Sequence, residues 1–153
     1  MEPNTICNAG GFISPDFSSI QSFESAFIGR GIYRLYRGGV VVYVGQATCI
    51  SGRIHTHYAA REKIFTHFDF TLLPDVSKDA LDELEAAEIF RLKPEYNKGI
   101  PRTGRHLRLT QIAHRIGVRP MRLQRYVTAK GIECFLGLYD TANFVGVTRE
   151  SLL

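Results

Sequence analysis

Alternating apolar positions between Gly31 and Gly45 predict a β-hairpin. Two runs rich in strand-forming residues, GIYRLY and VVVYVG, flank the sequence Arg37-Gly38-Gly39, and glycines reverse a chain at little steric cost. A further alternating stretch, THFDFTLLP, predicts another strand that is closed by Pro74. The pattern of this region therefore indicates a short antiparallel sheet.

Helical patterns follow the hairpin and the third strand. The segment TCISGRIHTHYAAREK predicts one helix, on which Arg53 and His57 share a face at i,i+4 spacing. The segment SKDALDELEAAEIFRLK predicts a second helix, which begins after Ser77 as N-cap and stops before Pro94. Strands alternating with helices predict an α+β fold, a small α/β sandwich.

The second helix carries acidic residues among its core-facing positions. A turn of about 100° per residue leaves Asp82 and Glu83 outside the apolar stripe. The stripe itself contains Leu81, Leu84, Glu85, Glu88 and Leu92. A glutamate at the margin of a buried face costs stability unless it is paired or binds a cation. A salt-bridged glutamate and a metal ligand are both compatible with this pattern.

The two ends of the chain differ from the middle. Residues 1–30 begin with a lead rich in Gly, Asn, Pro and Ser, and then Ile20, Phe23 and Phe27 at helical spacing predict a short helix. Residues 97–104, NKGIPRTG, are rich in turn-forming residues and predict a linker. The expected organisation is therefore a lead at 1–30, a central domain at 31–98 and an extension at 105–153.

The stretch Leu109–Tyr126 predicts a helix-turn-helix. Ala113 allows the helices to cross closely, and Gly117 suits a turn with positive φ. Ile112, Ile116, Val118, Leu123 and Tyr126 fall at the positions that pack two such helices together. This leaves the second helix with exposed polar residues for nucleic acid, namely Arg119, Arg122, Gln124 and Arg125. A plain α-hairpin with a basic face is the alternative, and residues 132–147 predict a strand pair beside it.

Charge is distributed unevenly along the chain, whose formal net charge is +4. Residues 1–100 hold 10 Lys and Arg against 12 Asp and Glu, a balance of −2, whereas residues 101–153 hold 9 against 3, a balance of +6. Such polarisation suggests an acidic partner for the C-terminal part, nucleic acid first, and a solvated basic face is the alternative that charge alone leaves open.

The cysteines and the short apolar runs indicate the cellular compartment in which the protein is expected. Cys7, Cys49 and Cys134 are odd in number and widely spaced, which argues against a disulfide framework or a zinc site. No stretch resembles a signal peptide, and the apolar runs are too short to span a bilayer. We therefore expect an intracellular protein, cytoplasmic and nucleoid-associated, with no membrane partner.

Two tyrosine–glycine motifs and several polar residues follow one another in order along residues 31–97. The motifs are Gly31-Ile32-Tyr33 and Tyr43-Val44-Gly45, and the polar residues are Arg53, His57, Glu85 and Asn97. This series resembles the GIY-YIG nuclease family, in which an arginine follows the second motif and a glutamate lies on a helix that leads to a Pro-x-Tyr-Asn close. Glu88 is the alternative to Glu85, because the two share one stripe.

The resemblance implies a divalent-metal-dependent endonuclease that hydrolyses phosphodiester bonds of DNA. Glu85 would bind Mg²⁺ or Mn²⁺, and Arg53 would hold the scissile phosphate. Tyr33 would act as the general base, with Tyr43 positioning the water or the first tyrosine. His57 would assist as an acid–base or phosphate-contacting group, and Asn97 would fix the end of the glutamate helix and the sheet.

The resemblance also implies a partner, double-stranded DNA, and no small-molecule cofactor. Two other functions stay open: a DNA-binding regulator on a catalytically silent scaffold of this family, and a structure-selective or RNA-directed nuclease. The intact set of Tyr33, Tyr43, Arg53 and Glu85 argues against the silent regulator. A homodimer on DNA is a further arrangement that the sequence leaves open.

Overall fold

The chain divides into two compact units, Met1–Asn97 and Lys98–Leu153. The computed structural model describes residues 29–153, together with the backbone of the strands at 7–13 and 20–22. Both units mix helices with antiparallel strands, so the fold class is α+β. In the described part of the chain, no helix combines the length and the apolar character that crossing a bilayer requires.

The strands described in the first unit are β1 Cys7–Ile13, β2 Ile20–Ser22, β3 Gly31–Arg37, β4 Val40–Ala47 and β5 His67–Leu72. These strands form one sheet with the order β2-β1-β5-β3-β4, in which all neighbouring strands are antiparallel. Tyr33 of β3 pairs with Gly45 of β4 on one side and with Phe70 of β5 on the other.

Two helices pack on this sheet, α1 Ile50–Ala60 and α2 Lys78–Leu92. The Ser77 hydroxyl accepts a hydrogen bond from the backbone N–H of Ala80 at 3.2 Å, so the predicted N-cap is confirmed. Both helices end on a left-handed residue, Arg61 for α1 and Lys93 for α2.

The helices lie on opposite faces of the sheet, because successive side chains of a strand alternate between faces. Tyr33 and Leu35 of β3 join one core cluster with Ile50 and Ile54 of α1. Arg34, between them in sequence, bonds instead to Glu88 of α2 at 2.9 Å. The sheet is therefore the central layer between two helices, as the sequence predicted in coarse outline.

The second unit is a pair of helices with a small sheet. α3 Leu109–Ile116 and α4 Pro120–Lys130 are joined through Gly117, whose φ of 77° is the positive value predicted for the turn. Strands β6 His106–Leu107 and β7 Tyr139–Asp140 pair antiparallel. Of the predicted helix-packing residues, Ile112 and Leu123 lie in the buried core of this unit, and the partly buried Ile116, Val118 and Tyr126 pack against it.

The helix expected in the N-terminal segment was wrong at the residues that the structure describes. Ile20–Ser22 form a strand rather than the start of a helix, while Phe23 and Phe27 lie outside the described residues. Cys7–Ile13, for which the sequence predicted no strand, form β1. Pairing with the edge of β5 supplies backbone hydrogen bonds to this glycine-rich segment, and that pairing needs no alternation in its side chains.

The strand pair expected within residues 132–147 is also different. Tyr139–Asp140 pairs with His106–Leu107, which precedes α3, and only an isolated bridge joins Phe135 to Leu138. The following Thr141–Phe144 is a 3₁₀ helix that begins at Asp140, whose carboxylate accepts from the N–H of Ala142. The small sheet is therefore built from both ends of this unit.

Candidate functional site

The hairpin brings the two predicted tyrosines together on one face of the sheet. The ring centroids of Tyr33 and Tyr43 lie 6.0 Å apart, and Tyr33 is only 1% exposed. Gly45 leaves the space for this packing: a β carbon there would lie 2.5 Å from the Tyr33 hydroxyl oxygen and 2.9 Å from Cε1 of Tyr43. The packing of the two tyrosines therefore requires a glycine at position 45.

Helix α1 adds a histidine and an arginine to this face. The Tyr33 hydroxyl and Nε2 of His57 share a hydrogen bond of 2.8 Å, and the His57 ring stands edge-on to Tyr43 at 5.0 Å between centroids. Arg53 lies one helical turn before His57 and is exposed. Tyr33, Tyr43, Arg53 and His57 together are called the tyrosine cluster below.

Burial and neighbouring charges set the proton affinities of the tyrosine cluster. Burial, reinforced by Tyr43, raises the pKa of Tyr33 far above its ordinary value, although the charge of Arg53 opposes the shift. Burial also raises the pKa of Tyr43. For His57, burial and the cations Lys63 and Arg53 lower the pKa to about 4. At neutral pH both phenols are therefore protonated and His57 is neutral.

Glu85 lies on α2, and the side-chain amide of Gln46 links its carboxylate to that of Asp82. The amide nitrogen of Gln46 donates to a Glu85 carboxylate oxygen at 2.6 Å and to an Asp82 carboxylate oxygen at 2.6 Å. Burial raises the pKa of Glu85, while the hydrogen bond from Gln46 lowers it. The charge of Glu85 also raises the pKa of both Tyr33 and Tyr43, so this carboxylate lies within electrostatic range of the tyrosine cluster.

Glu88, the alternative metal ligand, forms ion pairs with two arginines. Its carboxylate accepts from Arg34 at 2.9 Å and from Arg91 at 3.1 Å. Burial opposes ionisation of Glu88, but the hydrogen bonds and charges of Arg34 and Arg91 together outweigh it and lower the pKa of Glu88. Leu84, expected in the same apolar stripe, is 43% exposed, because the buried positions of α2 are Leu81, Ala86 and Ile89.

Asn97 is buried at the edge of the sheet. Its side-chain oxygen accepts from the backbone N–H of Val44 at 2.9 Å, and its side-chain nitrogen donates to the Val44 carbonyl at 2.9 Å. The amide therefore pairs with both backbone groups of one β4 residue. This geometry fixes the end of the unit against the strand that carries Tyr43.

Sequence reasoning missed three residues near these groups. Gln46 donates a hydrogen bond to Glu85, and Asp82 accepts one from the same amide nitrogen. The sequence pattern predicted Asp82 outside the apolar stripe of α2. The i,i+3 spacing of Asp82 and Glu85 is one helical turn, which is a signal that the sequence does contain. The third is Lys63, whose ammonium lies 4.7 Å from the centroid of the Tyr43 ring. No pattern in the sequence points to this lysine.

The acidic pair suits a hard divalent cation. Two carboxylates that share one amide donor are neighbours, and Mg²⁺ in phosphate chemistry is held by one or two carboxylates, waters and the substrate's phosphate oxygens. Residues 29–153 contain no group of three or more His, Cys, Asp and Glu side chains placed to hold a metal ion. Glu85 is thus a fitting but minimal donor, and Asp82 beside it already pairs with the ammonium of Lys78.

In the second unit, the predicted nucleic-acid-binding residues are exposed at or near the start of α4. Arg122 and Arg125 lie on the helix, whereas Arg119 is its N-cap and precedes it. Arg119, Arg122 and Arg125 line a common surface depression with Met121, which is 71% exposed. Burial raises the pKa of Tyr139, and the side chain of Gln124 lowers it, so Gln124 lies near this tyrosine of the small sheet.

A comparison with protein-family models, curated proteins and solved structures found no match to this chain.

Proposed function

We propose that this chain is a divalent-metal-dependent endonuclease of the GIY-YIG type, acting on double-stranded DNA inside the cell. The observation that carries the proposal is the hydrogen bond of 2.8 Å between the buried Tyr33 hydroxyl and Nε2 of His57, next to an arginine with no ion-pair partner in the described chain. A buried phenol joined to a neutral imidazole is a proton-transfer pair, and a free guanidinium is a phosphate ligand.

The high pKa of Tyr33 makes a free phenolate costly, so the proton is relayed. The attacking water gives a proton to the Tyr33 oxygen while the phenolic proton passes to Nε2 of His57. The water oxygen bonds to phosphorus, the bond from phosphorus to the 3′ oxygen breaks, and that oxygen takes a proton from solvent. His57 then returns its proton to solvent, which its lowered pKa favours.

Arg53 and Glu85 act on the phosphate group of the substrate and take no part in the proton transfer. The guanidinium of Arg53 stabilises the charge that develops on the nonbridging oxygens. Glu85, with Asp82 beside it, would hold Mg²⁺ or Mn²⁺, which when bound supplies Lewis-acid polarisation of the phosphate. Gln46 keeps the two carboxylates together before any cation arrives.

The second unit is proposed as the part that binds DNA. Three arginines around the start of α4 carry no carboxylate partner in the described chain, and such a helix N-terminus is the part that enters the major groove in helix-turn-helix proteins. The basic balance of residues 101–153 supports the same role.

The experiment is cleavage of supercoiled plasmid, linear duplex and structured RNA with Mg²⁺, with Mn²⁺ and with chelator. We expect metal-dependent cleavage of DNA by the wild type. Glu85→Gln should abolish cleavage and leave binding near wild type, because it removes the metal ligand and little volume. Tyr33→Phe should also lose turnover while it remains folded.

Glu88→Gln is the matched control on the same helix. It weakens the contacts of Glu88 with Arg34 and Arg91, so it should lower the melting temperature and leave the cleavage rate largely intact. Loss of cleavage in Glu88→Gln but not in Glu85→Gln would transfer the ligand role to Glu88. Tight binding without cleavage of any substrate would favour the silent regulator, and cleavage confined to structured substrates or RNA would favour the other alternative.

A further inference from the structure

Lys63 lies in the loop between α1 and β5 and is held there by its neighbours. Phe65, two residues later, is only 3% exposed and belongs to the core of the first unit. The backbone N–H of Thr66 donates to the carbonyl of Tyr36 at 2.7 Å. The loop is thus anchored directly after Lys63, which restricts where the lysine side chain can reach.

The ammonium of Lys63 points to the tyrosine cluster. Its nitrogen lies 4.7 Å from the centroid of the Tyr43 ring, the distance of a cation–π contact. After burial, Lys63 is the largest influence that lowers the pKa of His57, ahead of Arg53. The lysine and the arginine therefore place two positive charges around the same pair of phenols and one histidine.

In the part of the chain that the structure describes, these two cations lack the carboxylate partners that several other basic side chains of the first unit have. Four of those pair with carboxylates: Arg34 with Asp69 and Glu88, Arg37 with Glu95, Lys78 with Asp82 and Arg91 with Glu88. Neither Lys63 nor Arg53 has an ion-pair partner among the described residues. Two cations that repel one another beside a buried cluster carry an electrostatic cost, and an anion bound between them would offset it.

We propose that Lys63 is a second phosphate-binding side chain of the candidate active site, contacting the nucleic-acid backbone beside the phosphate held by Arg53. The inference rests on the proposed function for the kind of anion, a phosphodiester. An ammonium binds phosphate as a point charge, without the fixed orientation of a guanidinium, and so suits a flanking phosphate. The Tyr43 ring holds the ammonium in place when no substrate is bound.

The test measures duplex DNA binding to the full chain without divalent metal, over a range of salt concentrations. Lys63→Met keeps the length of the side chain and removes its charge. It should reduce the slope of log affinity against log salt by about one unit, the value for one lost phosphate contact. Lys63→Arg should keep the slope, and Arg91→Met, which removes an already paired cation of the same unit, should leave it unchanged.

Single methylphosphonate substitutions along the duplex then locate the contact. One neutralised phosphate should weaken binding of the wild type and have no further effect on Lys63→Met. An unchanged salt slope in Lys63→Met overturns the proposal, including the case in which only the melting temperature falls, which would make the contact with Tyr43 purely structural. The proposal is equally overturned if the wild type binds no nucleic acid.

Cleavage assays on the same proteins separate the two hypotheses. A reduced slope in Lys63→Met with no cleavage by the wild type would reject the endonuclease and retain the phosphate contact. Metal-dependent cleavage by the wild type with an unchanged slope would retain the endonuclease and reject the role of Lys63.

Discussion

At the scale of single residues, Gly31 and Gly45 flank the hairpin, and the atoms that pack against each of them leave no room for a side chain. A β carbon at Gly31 would overlap the carbonyl oxygen of Thr71 on the neighbouring strand. A β carbon at Gly45 would overlap the Tyr33 hydroxyl and the Tyr43 ring. The first glycine permits strand pairing, whereas the second permits the tyrosine cluster, so only the second is tied to the candidate chemistry.

Gly45→Ala should therefore damage both stability and activity. The added methyl must displace Tyr33, which is buried and hydrogen-bonded to His57, and overpacking of this kind costs about 1–3 kcal/mol. Thermal unfolding and cleavage rates would measure the two effects. Gly99→Ala is the control, because a β carbon at Gly99 meets nothing within 4 Å. Equal unfolding temperatures and cleavage rates in Gly45→Ala and Gly99→Ala would mean that the rings of Tyr33 and Tyr43 move aside at no cost.

The lowered pKa of His57 predicts a pH dependence of stability. Its pKa is about 4 in the folded chain, below the ordinary value of 6.5, so the unfolded state binds more protons between these two values. The neutral histidine thus favours the fold above pH 6.5, and that contribution is lost as the pH falls toward 4. Urea unfolding at pH 7 and pH 5 should show a smaller drop for His57→Gln than for the wild type. An equal drop in both proteins would contradict the assigned shift.

At the scale of elements, the sequence was most informative where a local pattern decides the structure. Ser77 caps α2 as predicted, β5 occupies the alternating stretch before Pro74, and Gly117 makes the turn between α3 and α4. These features depend on residues close together in the chain. Their caps, turns and periodicities can therefore be read without knowledge of the tertiary structure.

Features that depend on distant contacts could not be predicted. The β1 strand contains two adjacent glycines, and its pairing with β5 on one side and β2 on the other makes it a strand. Leu84 is exposed although it is apolar, because packing on the sheet selects Leu81 and Ile89 instead. Of the candidate site, the tyrosine–histidine contact agrees with the predicted residues, but the bridge by Gln46 and the approach of Lys63 appear only when the elements are assembled.

At the scale of the whole molecule, charge is distributed unevenly along the chain. Residues 1–100 carry a balance of −2, whereas residues 101–153 carry +6. An acidic first part would be repelled by DNA unless another part of the chain supplied attraction. The basic unit therefore has a physical reason to accompany the candidate active site.

A double substitution of Arg122 and Arg125 by Gln should weaken DNA binding strongly. Both side chains are exposed on α4 and border the same depression, so each is expected to contact phosphate or a base edge. The salt slope of binding should fall by up to about two units, while the melting temperature stays near wild type. Arg149→Gln, an exposed arginine outside α4, serves as the control. Unchanged binding by the double variant would remove α4 from the interface.

The pairing of Asn97 with Val44 has a consequence for assembly. β4 is the outermost strand of its sheet, and an open strand edge is a template for pairing with another copy of the chain. Here the backbone N–H of Tyr96 donates to the Val42 carbonyl at 2.9 Å, and the Asn97 amide occupies both backbone groups of Val44. The chain thus blocks these positions with its own residues. Copies of this protein should not join by extending the sheet at β4, and the same blockade protects this edge from fibril-like stacking.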